Sequence, residues 1–269
     1  MKRLAGLAAV VVLVGSACSD ATGPADRRDN PLIGKSSAEA KAALARQMGL
    51  DPTPRSYTGD NRVYAQFPPL FFNPNLGTNL LQGDDDCDFV AFNFPFTFFG
   101  QVFTGVWVNS NGNITFGNCF TTFTPTTLPA GANRIIAPLF FDIDPGAGGG
   151  VFFNVVGTPG NRKFIVTWAG VPAFALGGSN TYQLQLLERL NVILFMYNRI
   201  QTNGFNWTGT PLTAGIASGV AGGFGGFPGL FVIATGAQVP ALDGNTFCLI
   251  NLGGQYRVFN NLVCSLFVL

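Results

Sequence analysis

Hydrophobic and polar residues alternate in several short runs after residue 85, which is the pattern of β-strands with one buried face. In one run, "FVAFNFPFTFF" at residues 89–99, phenylalanine occupies every second position from Phe92 to Phe98. Segments rich in glycine, asparagine and proline separate the runs and favour tight turns. The pattern therefore predicts a mainly β fold, an antiparallel sandwich-like domain with the alternating phenylalanines in its core; an α+β domain dominated by sheet is the alternative.

One hairpin is predicted at residues 102–117, "VFTGVWVNSNGNITFG". Its two arms flank Asn111 and Gly112, a pair that suits the two positive φ angles of a type I′ turn. We expect Phe103 and Trp107 to pack inward, so that the hairpin serves as scaffold and any site lies on loops at the ends of the sheets. Two more hairpins are predicted, one from "GGGVFFNVVG" and "RKFIVTWAGV", the other from "TYQLQLLERLNVILFMY".

The first twenty residues, "MKRLAGLAAVVVLVGSACSD", are typical of an export signal. Two basic residues precede an apolar run, Leu4–Val14, that is too short for a hydrocarbon core of ~30 Å. Small residues lead directly into Cys18, as in the cleavage box of bacterial lipoproteins. Residues 1–17 are therefore predicted to be a signal peptide and Cys18 to be lipidated. The alternative is ordinary cleavage after Ala17, which would release a secreted chain.

Residues 18–62 differ in composition from the rest of the chain, because charged residues are frequent and large apolar residues are scarce. This composition predicts a disordered tether. Within it, Ser37 as an N-cap, alanine-rich spacing, and Gly49 and Pro52 at the end predict a short N-terminal helix. The β-rich domain is predicted to span residues 63–269.

The composition removes several classes of function. The formal net charge is +1 and no basic cluster is present, so nucleic acid is not an expected partner. The sequence contains no histidine. Its absence excludes Ser-His-Asp and Cys-His catalysis, and zinc sites that need imidazole. Chemistry carried by carboxylates alone remains open.

Four cysteines follow Cys18, namely Cys87, Cys119, Cys248 and Cys264. An even number in an exported chain predicts two disulfides, for which three connectivities exist. We favour Cys87–Cys119 and Cys248–Cys264, because each pair lies within one contiguous local unit. Free, buried thiols are the alternative.

Asp142 and Asp144, in "FFDIDPGAGGG", are candidate metal ligands, because residues two apart on a strand share a face. They allow three interpretations: a turn in which aspartate side chains bond backbone amides, a calcium site, or the paired carboxylates of a hydrolase. The run "GDDDCD" is predicted to be a solvated acidic turn, and Glu188 a surface turn residue. Binding of calcium is the alternative for the aspartates of this run, and no other cofactor is predicted.

Five blocks in a fixed order carry a family resemblance: "FPFTFFGQVFTGVWVNSNGNITFG", "FTPTTLP", "RIIAPLFFDIDPGAGGGVFFNVV", "RKFIVTWAGVP" and "NTYQLQLL…NVILFMY". From about Asp85 to about Ala221 the chain resembles the NIDO domain, the extracellular nidogen-like domain. The resemblance implies an extracellular module, found in matrix, mucin-like and adhesive proteins, without catalytic activity. The glycine-rich tail of residues 222–269 lies outside it.

The export signal and the family resemblance together predict a non-enzymatic cell-surface adhesion or binding module. We expect it in the bacterial cell envelope or at the cell surface, anchored by the lipidated Cys18. Its expected partner is an extracellular protein or glycan, and it meets the membrane through the lipid anchor only. The alternative function is a carboxylate-dependent hydrolase that uses Asp142 and Asp144.

Overall fold

A computed structural model describes most of the β-rich part of the chain. The described residues are 71–123, 128, 133–202, 212–219, 230–261 and 264–265. The predicted signal peptide, the lipidation at Cys18, the tether and the short helix lie outside these residues. Within the described ranges, no helix is both long and apolar enough to cross a lipid bilayer.

The described part of the chain contains thirteen strands and one 3₁₀ helix, Gly236–Leu242. A seven-stranded antiparallel sheet contains, in spatial order, β1 (Thr78–Leu81), β6 (Gly150–Val156), β7 (Lys163–Ala173), β8 (Gly177–Leu187), β9 (Val192–Arg199), β12 (Thr246–Leu252) and β13 (Gln255–Asn260). A six-stranded antiparallel sheet contains β11 (Leu230–Thr235), β10 (Thr213–Ala217), β5 (Arg134–Phe140), β4 (Asn113–Phe116), β3 (Gln101–Asn109) and β2 (Cys87–Phe98). The three predicted hairpins are present as β3–β4, β6–β7 and β8–β9.

The two sheets pack against each other around a core rich in aromatic side chains. Every second residue of β2 points into this core, and the four phenylalanines from Phe92 to Phe98 are at most 1% exposed. Phe92 meets Phe164 of the seven-stranded sheet with ring centroids 5.1 Å apart. The prediction of a mainly β, sandwich-like fold with these phenylalanines in its core is confirmed.

β2 forms one edge of the six-stranded sheet, and its sequence suits that position. Pro95, which has no backbone N–H to donate, is exposed on this edge strand. Asn93 has a φ of 58°, at the place where the register of β2 against β3 shifts. A proline and a local irregularity of this kind hinder the pairing of an edge with a second chain.

The tail of residues 222–269 contributes strands to both sheets. β11 lies beside β10, and β12 and β13 extend the other sheet beyond β9. Cys248 of β12 is bonded to Cys264, with the two Cα atoms 5.6 Å apart. Where it is described, the tail is therefore an integral part of the sandwich.

Glu188 lies in the β8–β9 turn and links it to the β6–β7 turn. Its side chain is 12% exposed and forms an ion pair with Arg162 at 2.6 Å. It also accepts hydrogen bonds from the backbone N–H groups of Gly160 and Arg162. Arg162 in turn donates to the Asn93 carbonyl of β2 and lies over the Phe94 ring. The turn position was predicted correctly, but the Glu188 side chain is largely buried and holds Arg162, the residue that joins the two sheets.

We expect the protonation of Glu188 to weaken the fold in acid. The hydrogen bond from the Arg162 side chain is the main cause that lowers the pKa of Glu188 from 4.5 to about 2. Because the folded-state pKa is the lower one, the carboxylate stabilises the fold above pH 4.5 and this contribution is lost as the pH falls towards 2. Urea unfolding of the wild type and of Glu188→Gln across this range should give free energies of unfolding that converge in acid.

The control for this test is Arg189→Gln, which removes a charge of the opposite sign from the neighbouring residue of the same turn. It should keep the pH dependence of the wild type. A Glu188→Gln profile that runs parallel to the wild type at every pH would contradict the role of the ion pair.

Candidate functional site

Three segments meet at one end of the six-stranded sheet. They are the loop 82–86 before β2, the turn 110–112 between β3 and β4, and residues 141–144 after β5, and we call them together the acidic end. The Ser110 N–H donates to the Asp86 carbonyl at 2.8 Å, and the Asp86 N–H donates to Ser110 Oγ at 2.9 Å. The first two segments are thus fastened to each other by reciprocal hydrogen bonds.

The β3–β4 turn differs from the predicted type I′ turn. Asn109 pairs with Asn113, so three residues connect the strands, and only Gly112 among them has a positive φ, of 78°. This is the geometry of a three-residue hairpin loop with glycine in the left-handed position. The type I′ prediction was wrong because Asn111, which would need a positive φ, instead turns its side chain into the protein.

Asn111 is fully buried and ties the three segments of the acidic end together. Its Nδ2 donates to Asp85 Oδ1 at 2.6 Å and to the Thr122 carbonyl at 3.3 Å. Its Oδ1 accepts the Ile143 N–H at 3.1 Å. This one amide therefore fixes the Asp85 carboxylate relative to the chain that follows β5.

The segment that follows β4 covers part of the outer face of the six-stranded sheet. The Phe120 N–H donates to Asn109 Oδ1 at 2.9 Å, and Thr115 Oγ1 donates to the Asn118 carbonyl at 2.6 Å. Cys119 is bonded to Cys87 at the start of β2, with Cα atoms 5.9 Å apart. Both disulfides join the cysteines that the local-pairing argument favoured, and this one lies beside the acidic end.

Three carboxylates converge at the acidic end. Oxygen atoms of Asp84, Asp85 and Asp142 lie within 4.8 Å of one another. Asp84 is exposed, whereas Asp142 is only 4% exposed. Burial, followed by the charges of Asp84, Asp85 and Asp144, raises the pKa of Asp142 from 3.8 to about 7. Burial, followed by the charge of Asp85, also raises the pKa of Asp84.

Asp144 stabilises the loop that follows it and does not form a carboxylate pair with Asp142. Its Oδ1 accepts the N–H of Gly146 at 2.7 Å and of Ala147 at 3.1 Å. These are the bonds of the turn interpretation, in which an aspartate side chain stabilises the following loop. Asp144 lies outside the group of three close carboxylates. The structure thus brings Asp142 together with Asp84 and Asp85, from a run for which a solvated turn was favoured over a calcium site.

The outer face of β2 and β3 carries an aromatic pair, Phe89 and Trp107. The two residues are directly opposite in the β2–β3 ladder, and their rings meet edge to face with centroids 5.6 Å apart. Phe89 is 53% exposed and Trp107 is half-buried. The inward orientation predicted for Trp107 was wrong, because its neighbours Val106 and Val108 fill the core and alternation turns Trp107 outward.

The comparison with known proteins decides the family. Residues 57–237, more than half of the chain, match the family described as NIDO related. The chain belongs to the NIDO-related family. The resemblance to the NIDO domain is thus confirmed at this level, and the match extends beyond residues 85–221 at both ends.

Alpha-tectorins are among the relatives of this NIDO-related chain. Alpha-tectorin of Gallus gallus is 28% identical over 211 residues, which are 67% of this chain and 10% of that protein. Alpha-tectorin of Homo sapiens is 28% identical over 182 residues, which are 55% of this chain and 8% of that protein. The chain thus spans about a tenth or less of the length of these relatives. No solved structure matches it significantly.

The NIDO-related families share a functional class. Domains of the NIDO-related families are non-enzymatic extracellular modules. Disulfides form and persist in oxidising compartments, and this domain has two. Family and disulfides together indicate an extracellular location.

Proposed function

We propose that this chain is a non-enzymatic adhesion or binding module of the NIDO type, which acts at the cell surface and holds an extracellular protein or glycan. The observation that carries the proposal is the outward-facing Phe89–Trp107 pair on a rigid sheet. Most aromatic residues of the described sheets are buried, so an outward-facing pair with Phe89 exposed and Trp107 half-buried needs a separate explanation. Exposed aromatic rings on a rigid support are typical anchors of binding surfaces.

The local structure holds this aromatic pair in place. Gly105 lies beside it on β3, and a Cβ atom at this position would come within 2.5 Å of the Phe89 ring. The glycine therefore lets the Phe89 ring lie close to the backbone of β3, where it meets Trp107. Rings fixed in this way lose little conformational freedom when a partner binds, which favours affinity.

Binding to an array of glycans and extracellular matrix proteins tests the proposal. We expect the full chain to bind at least one surface, and Phe89→Ala and Trp107→Ala to weaken that binding by at least about tenfold. Leu190→Ala is the matched control, because Leu190 is 47% exposed in the β8–β9 turn, away from the pair. Absence of binding to every surface, or binding that both aromatic variants retain in full, would contradict the proposal.

We further propose that a lipidated Cys18 anchors the module to the membrane. The support comes from the export signal and the small residues that precede this cysteine. Mass spectrometry of the N-terminal peptide from the native chain should find acyl chains on Cys18. A chain that begins at an unmodified Cys18 and is recovered from the medium would show ordinary secretion instead.

A further inference from the structure

We propose that Asp84, Asp85 and Asp142 form a binding site for a calcium ion. Their carboxylate oxygens lie within 4.8 Å of one another. Two oxygens that bind the same Ca²⁺ at its usual distances of roughly 2.3 to 2.6 Å are at most about 5 Å apart. The group is therefore compact enough for all three carboxylates to bind one ion.

The environment of Asp142 is a second, independent observation that points to a cation ligand. Asp142 is 4% exposed, and within the described residues burial and like charges act on its carboxylate with no hydrogen bond to offset them. The charged groups that act on it are the carboxylates of Asp84, Asp85 and Asp144. Buried carboxylates in proteins are ordinarily hydrogen-bonded, paired with a cation or bound to a metal ion. A cation among these three oxygens would supply the partner that the protein does not.

The ligands are also held in position by neighbouring groups. Asn111 donates to Asp85 Oδ1 and accepts from the N–H of Ile143, the residue after Asp142. The Asp142 carbonyl accepts the Phe174 N–H at 3.1 Å, which anchors the backbone of this ligand. Outer-shell hydrogen bonds of this kind orient metal ligands and raise affinity.

The donor set favours calcium over other metal ions. All three ligands are carboxylates, which suit hard cations, and the chain has no histidine to attract zinc. Asp84 is exposed, so one side of the group is open to water molecules that would complete the six to eight oxygens that Ca²⁺ takes. Mg²⁺ requires a stricter octahedral arrangement than three side chains from two separate loops readily supply.

Calorimetric titration of the full chain, after dialysis against EDTA, tests this inference. We expect one Ca²⁺ to bind with a Kd of roughly 10⁻⁴ to 10⁻³ M, the range of extracellular modules, and more tightly than Mg²⁺. Asp142→Asn and Asp84→Asn should each weaken binding by at least about tenfold. Asp88→Asn, which removes an exposed carboxylate of the same acidic run outside the group of three, should stay within about twofold of the wild type.

Several results would overturn the calcium site. They are the absence of saturable Ca²⁺ binding, equal weakening by Asp88→Asn, tighter binding of Mg²⁺, or wild-type affinity in Asp84→Asn. The Asp84 variant decides the matter if Asp142→Asn does not fold, because Asp84 is exposed and its replacement leaves the core intact. Because the titration uses Ca²⁺ alone, its outcome is independent of the proposed binding of an extracellular partner.

Discussion

Gly112→Ala should destabilise the domain by about 2 to 5 kcal/mol, as measured by urea unfolding. Gly112 has a φ of 78°, and a left-handed backbone costs an alanine about 1 to 2 kcal/mol. A Cβ atom at Gly112 would also overlap the Leu139 carbonyl oxygen and lie 2.5 Å from the Tyr182 hydroxyl. Relief of this overlap must move β5 or the hairpin, which adds about 1 to 3 kcal/mol.

Gly160→Ala separates the two contributions. Gly160 has a φ of 87°, and the space around its missing Cβ is open to 4 Å. It should therefore cost only the backbone strain, about 1 to 2 kcal/mol. Equal losses of stability in Gly112→Ala and Gly160→Ala would show that a Cβ atom at position 112 does not overlap Leu139 and Tyr182.

Trp168→Ala should remove about 3 to 5 kcal/mol from the free energy of unfolding, because it empties a large volume in the core. Trp168 is fully buried and stacks on Tyr182, with ring centroids 5.2 Å apart. Its indole N–H donates to the carbonyls of Asn109 and Ser110, at 3.2 and 3.0 Å, where β3 enters the turn of the acidic end. One side chain therefore supports both the contact between the sheets and the base of the candidate site.

Trp168→Phe distinguishes packing from hydrogen bonding at this position. It keeps a ring against Tyr182 but removes the indole donor, so we expect a smaller loss, about 1 to 2 kcal/mol. Chemical unfolding monitored by circular dichroism measures both variants. If Trp168→Ala loses less than about 1 kcal/mol, the assignment of this tryptophan to the core is wrong.

Alternation within single strands and short turn segments between strands predicted the buried strand face and the hairpins. The alternation from Phe92 to Phe98 predicted a buried face, because side chains on a strand alternate between two faces whatever the rest of the chain does. The β6–β7 and β8–β9 hairpins were predicted because short turn segments join their strands. The same rule did not decide the orientation of Trp107, because Val102 is exposed whereas Val106 and Val108, at positions of the same parity, are buried.

The candidate site was less predictable because it depends on tertiary contacts. Asn111 and Gly112 match the sequence of a type I′ turn, but the bonds of Asn111 to Asp85 and Ile143 outweigh that local preference. Asp84 and Asp142 are far apart in sequence. They meet because β2, β3, β4 and β5 are neighbours in one sheet, which periodicity along the chain does not encode. The acidic run and Asp142 were each visible in the sequence as candidates for metal binding, but their meeting in space was not.

Mass spectrometry of a retained ligand tests most directly whether this NIDO-related module binds its partner without transforming it. Glycan and extracellular-protein mixtures would be passed over the immobilised full chain, and the retained molecules would be eluted and weighed. We predict that the ligand is recovered with unchanged mass, and that Phe89→Ala and Trp107→Ala retain less of it. Recovery of cleaved ligand from the wild type, but intact ligand from Asp142→Asn, would contradict a binding role and favour the carboxylate-dependent hydrolase.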